Sequence, residues 1–271
     1  MPDEALAGGR FAAPIRDGDT VTRLTGPGAR NIHALLEHIA SQGFDRAPRP
    51  LDLAADDGRE TLTYLRGSSA SPPLADAVRS EKALRSAART VRALHDATIG
   101  FTPPHPGQWS QQEVTVPAEI DCIGHGDLAP WNLLFDDDQV VGVIDFDFAG
   151  PSNRAWDLAY LAHQLVPFHP TEDLGGFGWS SEPDRARRLR IFTTSYDLGM
   201  DPARLIDYAA IRLLGMATDI DQRVRASDPA YAQHGEHDFA AEYRRAAAFI
   251  LGRRASLLTP SSPPRRRPER K

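Results

Sequence analysis

The sequence predicts an α+β chain built from two unequal parts, and three observations predict it. Up to about Gly67, short apolar or β-branched runs alternate with turn residues around a single helical segment. From Pro72 onward the apolar residues recur mainly at helical spacing. With 271 residues and 41% hydrophobic content, the chain is long enough for one large domain or two lobes with a sizeable core.

Taken in order, Glu4 to Leu6 forms a strand that leads into Gly8-Gly9. Ala13 to Arg16 and Thr20 to Leu24 flank the turn Asp17-Gly18-Asp19. A helix runs from about Ala29 to Gln42 and stops at Gly43. Its buried stripe is Ile32, Leu35, Leu36 and Ile39, which puts Glu37 on the solvent side and His33 at the flank, where a surface position is favoured. Leu51 to Ala54 and Thr61 to Leu65 flank Asp56-Asp57-Gly58, a hairpin signal. Ser80 to Ala97 reads as a helix, with Ala83, Leu84, Ala87, Val91 and Leu94 on its apolar face. A second hairpin pairs Leu133 to Phe135 with Val140 to Ile144 across a polar turn. Three helices follow, near Asp184 to Tyr196, Pro202 to Ala226 and Phe239 to Leu258. The boundaries predicted are 1–67 for the sheet-bearing part, 68–258 for the helical part and 259–271 for a tail.

Composition narrows the possible roles. Cys122 is the sole cysteine, so no intrachain disulfide can form, and its apolar neighbours mark it as a small core residue. Met1-Pro2-Asp3-Glu4 is acidic with no apolar run behind it, and no stretch approaches the roughly 20 apolar residues of a membrane span. A cytoplasmic protein with no membrane partner is expected. The net charge is -6, but the five basic residues and one glutamate of 259–271 contribute +4, so the rest of the chain carries -10. An acidic body argues against nucleic acid as a partner. The tail, rich in proline and arginine, is expected to be disordered.

The chemistry is concentrated in His125-Gly126-Asp127-Leu128-Ala129-Pro130-Trp131-Asn132, followed thirteen residues later by Asp145 in Val-Ile-Asp-Phe-Asp. Phosphoryl transfer needs a carboxylate to orient the acceptor hydroxyl and hard oxygen ligands to hold magnesium against the phosphates. An Asp followed five residues later by an Asn supplies both from one loop, and a second Asp completes the set. Each residue alone would be an ordinary turn or a strand-ending acid. Their joint spacing, with the hairpin bringing Asn132 near Asp145, singles them out.

At these residues the sequence resembles the aminoglycoside phosphotransferase family, which shares the protein-kinase-like two-lobed fold. His-Gly-Asp-x-x-x-x-Asn and Ile-Asp-Phe carry the resemblance, with Asp157-Leu158-Ala159 downstream and Leu94-His95 upstream. The similarity spans about Leu6 to Leu258. It implies that Asp127 is the catalytic base, that Asn132 and Asp145 bind Mg²⁺, that His125 supports the loop and that Asp157 is structural. It also implies ATP as cosubstrate and a small-molecule hydroxyl as acceptor. Gly8 and Gly9 would let backbone approach the ATP phosphates, and Thr63, Tyr64 and Leu65 would read the adenine edge.

Three departures stand out. The chain has only two lysines, Lys82 and Lys271, so the usual strand lysine is absent and Arg23 occupies the matching position. Arginine is planar and bulkier, so the exchange is not conservative. The helix glutamate that orients that lysine is also missing. Trp131 stands where the family commonly has a small residue, and it could line an acceptor pocket or pack between loop and helix. Asp147, two residues past Asp145, is an accessory candidate. Beyond Leu161 the acceptor is not encoded legibly. Asp219, Asp221, Glu236 and Glu242 are acidic candidates, and His163, His169, His234 and His237 lack metal-ligand spacing. Choline, homoserine, sugar and antibiotic acceptors stay open. The intact Asp127, Asn132 and Asp145 favour a kinase. The lost lysine and glutamate favour a catalytically silent, kinase-like binding protein.

Overall fold

The computed structural model describes residues 4–5, 14–26, 28–54, 58–109, 119–228 and 238–259. Gly8, Gly9, the Asp56-Asp57 turn, Glu236 and nearly all of the tail lie outside the described residues.

Strands β1 (Glu4–Ala5), β2 (Ile15–Asp17) and β3 (Thr20–Leu24) precede helix α1 (Ala29–Ser41), and β4 (Pro50–Ala54) and β5 (Arg59–Thr63) follow it. They form one antiparallel sheet in the order β1-β2-β3-β5-β4. Gly18 turns β2 into β3 with φ 59°, a left-handed conformation that glycine adopts without a Cβ penalty. The stripe of α1 lies as its spacing requires, with Ile32, Leu35, Leu36 and Ile39 buried and Glu37 exposed. Register sets Arg23 of β3 directly opposite Glu60 of β5, and Val21 opposite Leu62.

The chain then forms β6 (Ser68–Ser69), α2 (Asp76–Arg79), α3 (Glu81–Ala97), β7 (Cys122–Gly124), β8 (Leu133–Asp136), β9 (Gln139–Val143) and β10 (Gly150–Ser152). It closes with α4 (Arg154–Leu165), α5 (Arg185–Tyr196), α6 (Pro202–Arg225) and α7 (Phe239–Leu258). The β8–β9 hairpin takes β6 as its third strand, and β7 pairs with β10. Hydrogen bonds from Val143 N–H to the Arg46 carbonyl (2.7 Å) and from Val140 N–H to the Ser86 side-chain Oγ (2.9 Å) fix the hairpin against neighbouring segments.

Helices α3, α5, α6 and α7 start where a polar side chain accepts an otherwise unpaired first-turn N–H, whereas α1 starts at Gly28 with no side-chain cap. Ser80 accepts from Ala83 N, Asp184 from Arg187 N, Asp201 from Ala203 N and Asp238 from Ala241 N. Helix α6 packs between α4 and α7, while α3 packs on α5. Among the described residues four long helices follow the hairpin, one more than the sequence predicts. The extra one, α4, is buried from Ala155 to Leu165. A helix enclosed on all sides needs no polar face, so it carries no amphipathic stripe to read. Among the described residues, no helix is long and apolar enough to cross a membrane.

The Ser80 cap is open to a direct test. Ser80→Ala should lower unfolding stability by about 1 kcal/mol, read as a lower urea midpoint with an unchanged slope; an unchanged midpoint would show that the cap contributes nothing.

Candidate active site

The loop 125–132 is shaped by two glycines and one buried carboxylate. Gly124 ends β7 where a Cβ would meet the Ser152 Cβ at 2.6 Å and the Asp157 Cγ at 2.9 Å. Gly126 has φ 83°, and a Cβ there would run into the Phe148 carbonyl. Asp157, fully buried on α4, accepts from His125 N (2.8 Å) and Gly126 N (2.9 Å), and it bonds His95 Nε2 at 3.0 Å. Burial works against its charge, but the His95 hydrogen bond and the neighbouring positive groups outweigh that and hold it well below the usual carboxylate range. Arg212, on α6, donates to the Gly126 and Trp156 carbonyls.

His125 is buried and fixed from both ends. The Asp127 N–H donates to its Nδ1 at 3.3 Å, so Nε2 carries the proton and donates to the Ile144 carbonyl at 2.8 Å. This ties the loop to the strand that delivers Asp145. Asn132 closes a turn of 3-10 helix, Pro130–Asn132. Its Nδ2 donates to the Asp127 carbonyl (2.8 Å) and to Asp127 Oδ2 (2.9 Å), leaving its own Oδ1 for another ligand. Ile144 N–H donates to the Asn132 carbonyl at 3.0 Å, which joins the open end of the hairpin. Asp145 follows in a left-handed conformation, φ 65° and ψ 62°, which aspartate tolerates better than most residues. Dense protein around Asp127 disfavours its charge and raises its pKa; Asp145 adds to the rise, while His125 and Arg212 oppose it.

Arg23 faces this loop from the sheet. Its Nε bonds Glu60 Oε1 at 2.7 Å, Nη1 bonds Asp145 Oδ1 at 2.9 Å and Nη2 bonds Asp147 Oδ1 at 2.6 Å. His33 does not take the surface position expected for it: it is largely buried and bonds the other Glu60 oxygen at 2.6 Å. Burial alone would raise Glu60, but the His33 and Arg23 bonds leave it below its ordinary value. Asp147 moves the other way, to about 6, through burial and the nearby charges of Asp145 and Glu60, against the pull of Arg23.

Glu60 is the residue that sequence reasoning missed. Directly opposed residues on neighbouring strands share a face, so the signal lay in the β3–β5 register, which the sequence does not state. Of the hinge candidates, the Thr63 N–H is taken by the Arg49 carbonyl (2.9 Å) and the Tyr64 N–H by the Asp19 carbonyl (2.8 Å). Leu65 follows directly. Gly8 and Gly9 cannot be placed, being outside the described residues. Asp219 and Asp221 pair with Arg223 and Arg244, as on a solvated charged face.

A cleft of about 590 Å³ opens beside the loop. Trp131 and Tyr160 line it, edge to face with ring centres 6.0 Å apart, and the Tyr160 and Tyr243 hydroxyls bond at 2.9 Å. Burial first, then Tyr243 and the charge of Asp127, raise the Tyr160 phenol. Glu242 also lines the cleft, with Glu172 and Asp173.

Asp145 and Asn132 offer one carboxylate and one amide oxygen. That donor set suits Mg²⁺, which keeps several waters and binds through one or two carboxylates together with substrate phosphates. No cluster of three or more His, Cys, Asp or Glu side chains able to hold a metal occurs among the described residues.

The buried histidines of the cleft generate a pH prediction. Burial lowers His163 to about 3 and His169 well below its ordinary value. The unfolded chain binds these protons near about pH 6.5, so the stability from keeping them neutral is full above that pH and is lost as pH falls toward the folded values. Denaturation midpoints should drop between about pH 7 and about pH 5, and His163→Phe should flatten the drop; parallel profiles would remove His163 as a cause.

Comparison with known proteins gives the chain's family and fold. The pattern described as "Phosphotransferase enzyme family" matches residues 15–113 and 108–192. The trifolitoxin immunity protein of Rhizobium leguminosarum bv. trifolii is 32% identical over 201 residues, covering 73% of this chain and 76% of that protein. A Ralstonia eutropha structure assigned to the aminoglycoside phosphotransferases superposes with TM-score 0.62 at 17% identity, covering 92% of this chain and 91% of the other. A choline/ethanolamine kinase family protein of Mesorhizobium loti gives 0.60 at 18% identity, covering 92% of each chain. The structural likenesses show the two-part kinase-like fold. With the sequence match over most of its length, this chain belongs to the phosphotransferase enzyme family.

Proposed function

We propose that this chain transfers the γ-phosphate of ATP, with Mg²⁺, to a hydroxyl of a small molecule. The observation that carries the reading is the Asp127–Asn132 pair, joined through His125 and Ile144 to Asp145 and faced by Arg23. Asp127 would orient and deprotonate the acceptor hydroxyl; its raised pKa suits a proton acceptor better than an ordinary surface carboxylate would. Asn132 Oδ1 and Asp145 would hold Mg²⁺, whose charge offsets that of the phosphates. Arg23 would release Asp145 and Asp147 and turn to the phosphates while Glu60 keeps its Nε. Adenine would meet the 63–65 segment through the Thr63 and Tyr64 carbonyls and Leu65, since two of the N–H groups are already engaged. Gly8 and Gly9 would cover the phosphates. His125 and Asp157 would hold the loop, and Trp131 would face the acceptor.

This reading divides the chain into a nucleotide lobe, 1–67, an acceptor-binding lobe, 68–258, and a basic tail, 259–271. The reaction places it in the cytoplasm, where ATP is available, with no role for nucleic acid or membrane. The immunity-protein relative supports a protective use, in which the acceptor is a toxic compound. One observation favours a second reading, a catalytically silent binding protein: the Arg23 guanidinium is already engaged by three carboxylates.

Asp127→Asn separates the two. Turnover of a phosphorylated acceptor should fall by at least about 100-fold, while Mg²⁺·ATP affinity stays within a few-fold. Unchanged turnover would refute the role given to Asp127.

A further inference from the structure

The Arg23 guanidinium has one fixed end and one loosely held end. Its Nε donates to Glu60 Oε1 at 2.7 Å, and His33 Nε2 bonds the other Glu60 oxygen at 2.6 Å. Both Glu60 oxygens are therefore engaged, and the residue is buried. At the other end Nη1 donates to Asp145 Oδ1 at 2.9 Å and Nη2 to Asp147 Oδ1 at 2.6 Å. That end meets solvent, because the Asp145 side chain is 37% exposed. A pair at a wet edge is held weakly, since water and ions compete for both groups, whereas a buried and doubly held carboxylate is screened far less. The guanidinium thus has a pivot at Glu60 and can part from the loop without leaving the sheet.

The loosely held end stands where a metal ion is needed. Asn132 Nδ2 is spent on Asp127, so its Oδ1 is open, but the Asp145 carboxylate already carries a positive partner. A divalent cation brought to the same carboxylate meets that guanidinium at close range, where like charges in a partly buried site repel strongly. Burial works against the charge of Arg23, but Asp147, Glu60 and Asp145 outweigh it, so the arginine does not escape the repulsion by losing its proton. The cation gains Asp145 only when Nη1 and Nη2 find other acceptors. Phosphate oxygens are such acceptors, and they match the planar fork two at a time.

We infer that Arg23 is a latch on the metal position: in the nucleotide-free chain it keeps a divalent cation from Asp145, and a polyphosphate opens it by drawing Nη1 and Nη2 away. ATP as the opening polyphosphate rests on the kinase reading; the competition between Arg23 and the cation does not. Cation and nucleotide then bind with positive coupling, because each removes what the other would meet. The phosphates take the guanidinium, and the cation neutralises carboxylates that would repel the phosphates.

The test is titration of Mn²⁺, a paramagnetic substitute for Mg²⁺, into the intact chain without nucleotide, with bound ion read by electron paramagnetic resonance. Wild type is compared with Arg23→Gln and with the double variant Arg23→Gln plus Glu60→Gln. The double variant removes one charge of each sign, so the cluster keeps the formal charge of wild type. Both variants should bind Mn²⁺ at least about tenfold more tightly than wild type, a gain that loss of fold does not produce. Adding Asp145→Asn to the double variant should abolish it. Equal affinities in wild type and both variants would overturn the inference. A gain in the single variant alone, which net charge explains, or one that survives Asp145→Asn, would do the same. Sub-millimolar Mn²⁺ binding by nucleotide-free wild type would overturn it without recourse to any variant. If the gain is seen but neither wild type nor variant binds Mg²⁺·ATP, the latch stands and the kinase reading falls. If wild type phosphorylates an acceptor and the variants show no gain, the reverse holds.

Discussion

One guanidinium facing three carboxylates is the contact on which this site depends. Arg23 joins the sheet to the loop that carries Asp145 and Asp147, more than a hundred residues away in sequence. Glu60 grips it from the neighbouring strand and is itself fixed by His33 from α1. Sheet, helix and loop therefore meet at one charge cluster. Breaking a buried pair of this kind by removing one partner typically costs about 3–5 kcal/mol, because the other charge is left uncompensated. The cluster sets the position of Asp145 only so long as Arg23 stays charged, and its three acidic neighbours raise its pKa despite burial.

The second constraint is the burial of Asp157. It sits inside the helical part and presents both oxygens to consecutive backbone N–H groups of the loop. The Gly126 conformation makes that approach possible, and Arg212 takes the carbonyl on the other side of the same peptide segment. The loop thus has its N–H groups held from α4 and a carbonyl held from α6. Asp127 inherits its position from these contacts and from Asn132, not from its own side chain's reach.

Much of this was legible in the sequence, for identifiable reasons. Turn glycines at 18 and 43, and the apolar patterns read as helices near 80–97, 184–196, 202–226 and 239–258, have ends that the structure places within a residue or two of expectation. The stripe on α1 correctly turned Glu37 outward. Helix α4 was illegible because burial on every side erases the periodicity that reveals a helix. Glu60 was illegible because its partnership with Arg23 is a matter of strand register. A search confined to α1 looks for the orienting carboxylate on the wrong element. His163 and His169 behave likewise: they have no metal spacing, and only the fold brings them together, buried in the wall of one cleft.

The most direct test of the Arg23 account is calorimetric titration of ATP, with and without Mg²⁺, into wild type and Arg23→Gln. Mg²⁺-dependent binding that the variant weakens by about tenfold or more is the result predicted if this arginine grips phosphate in place of lysine. Equal affinities in the two proteins, or no binding to wild type at millimolar concentrations of ATP, would contradict it.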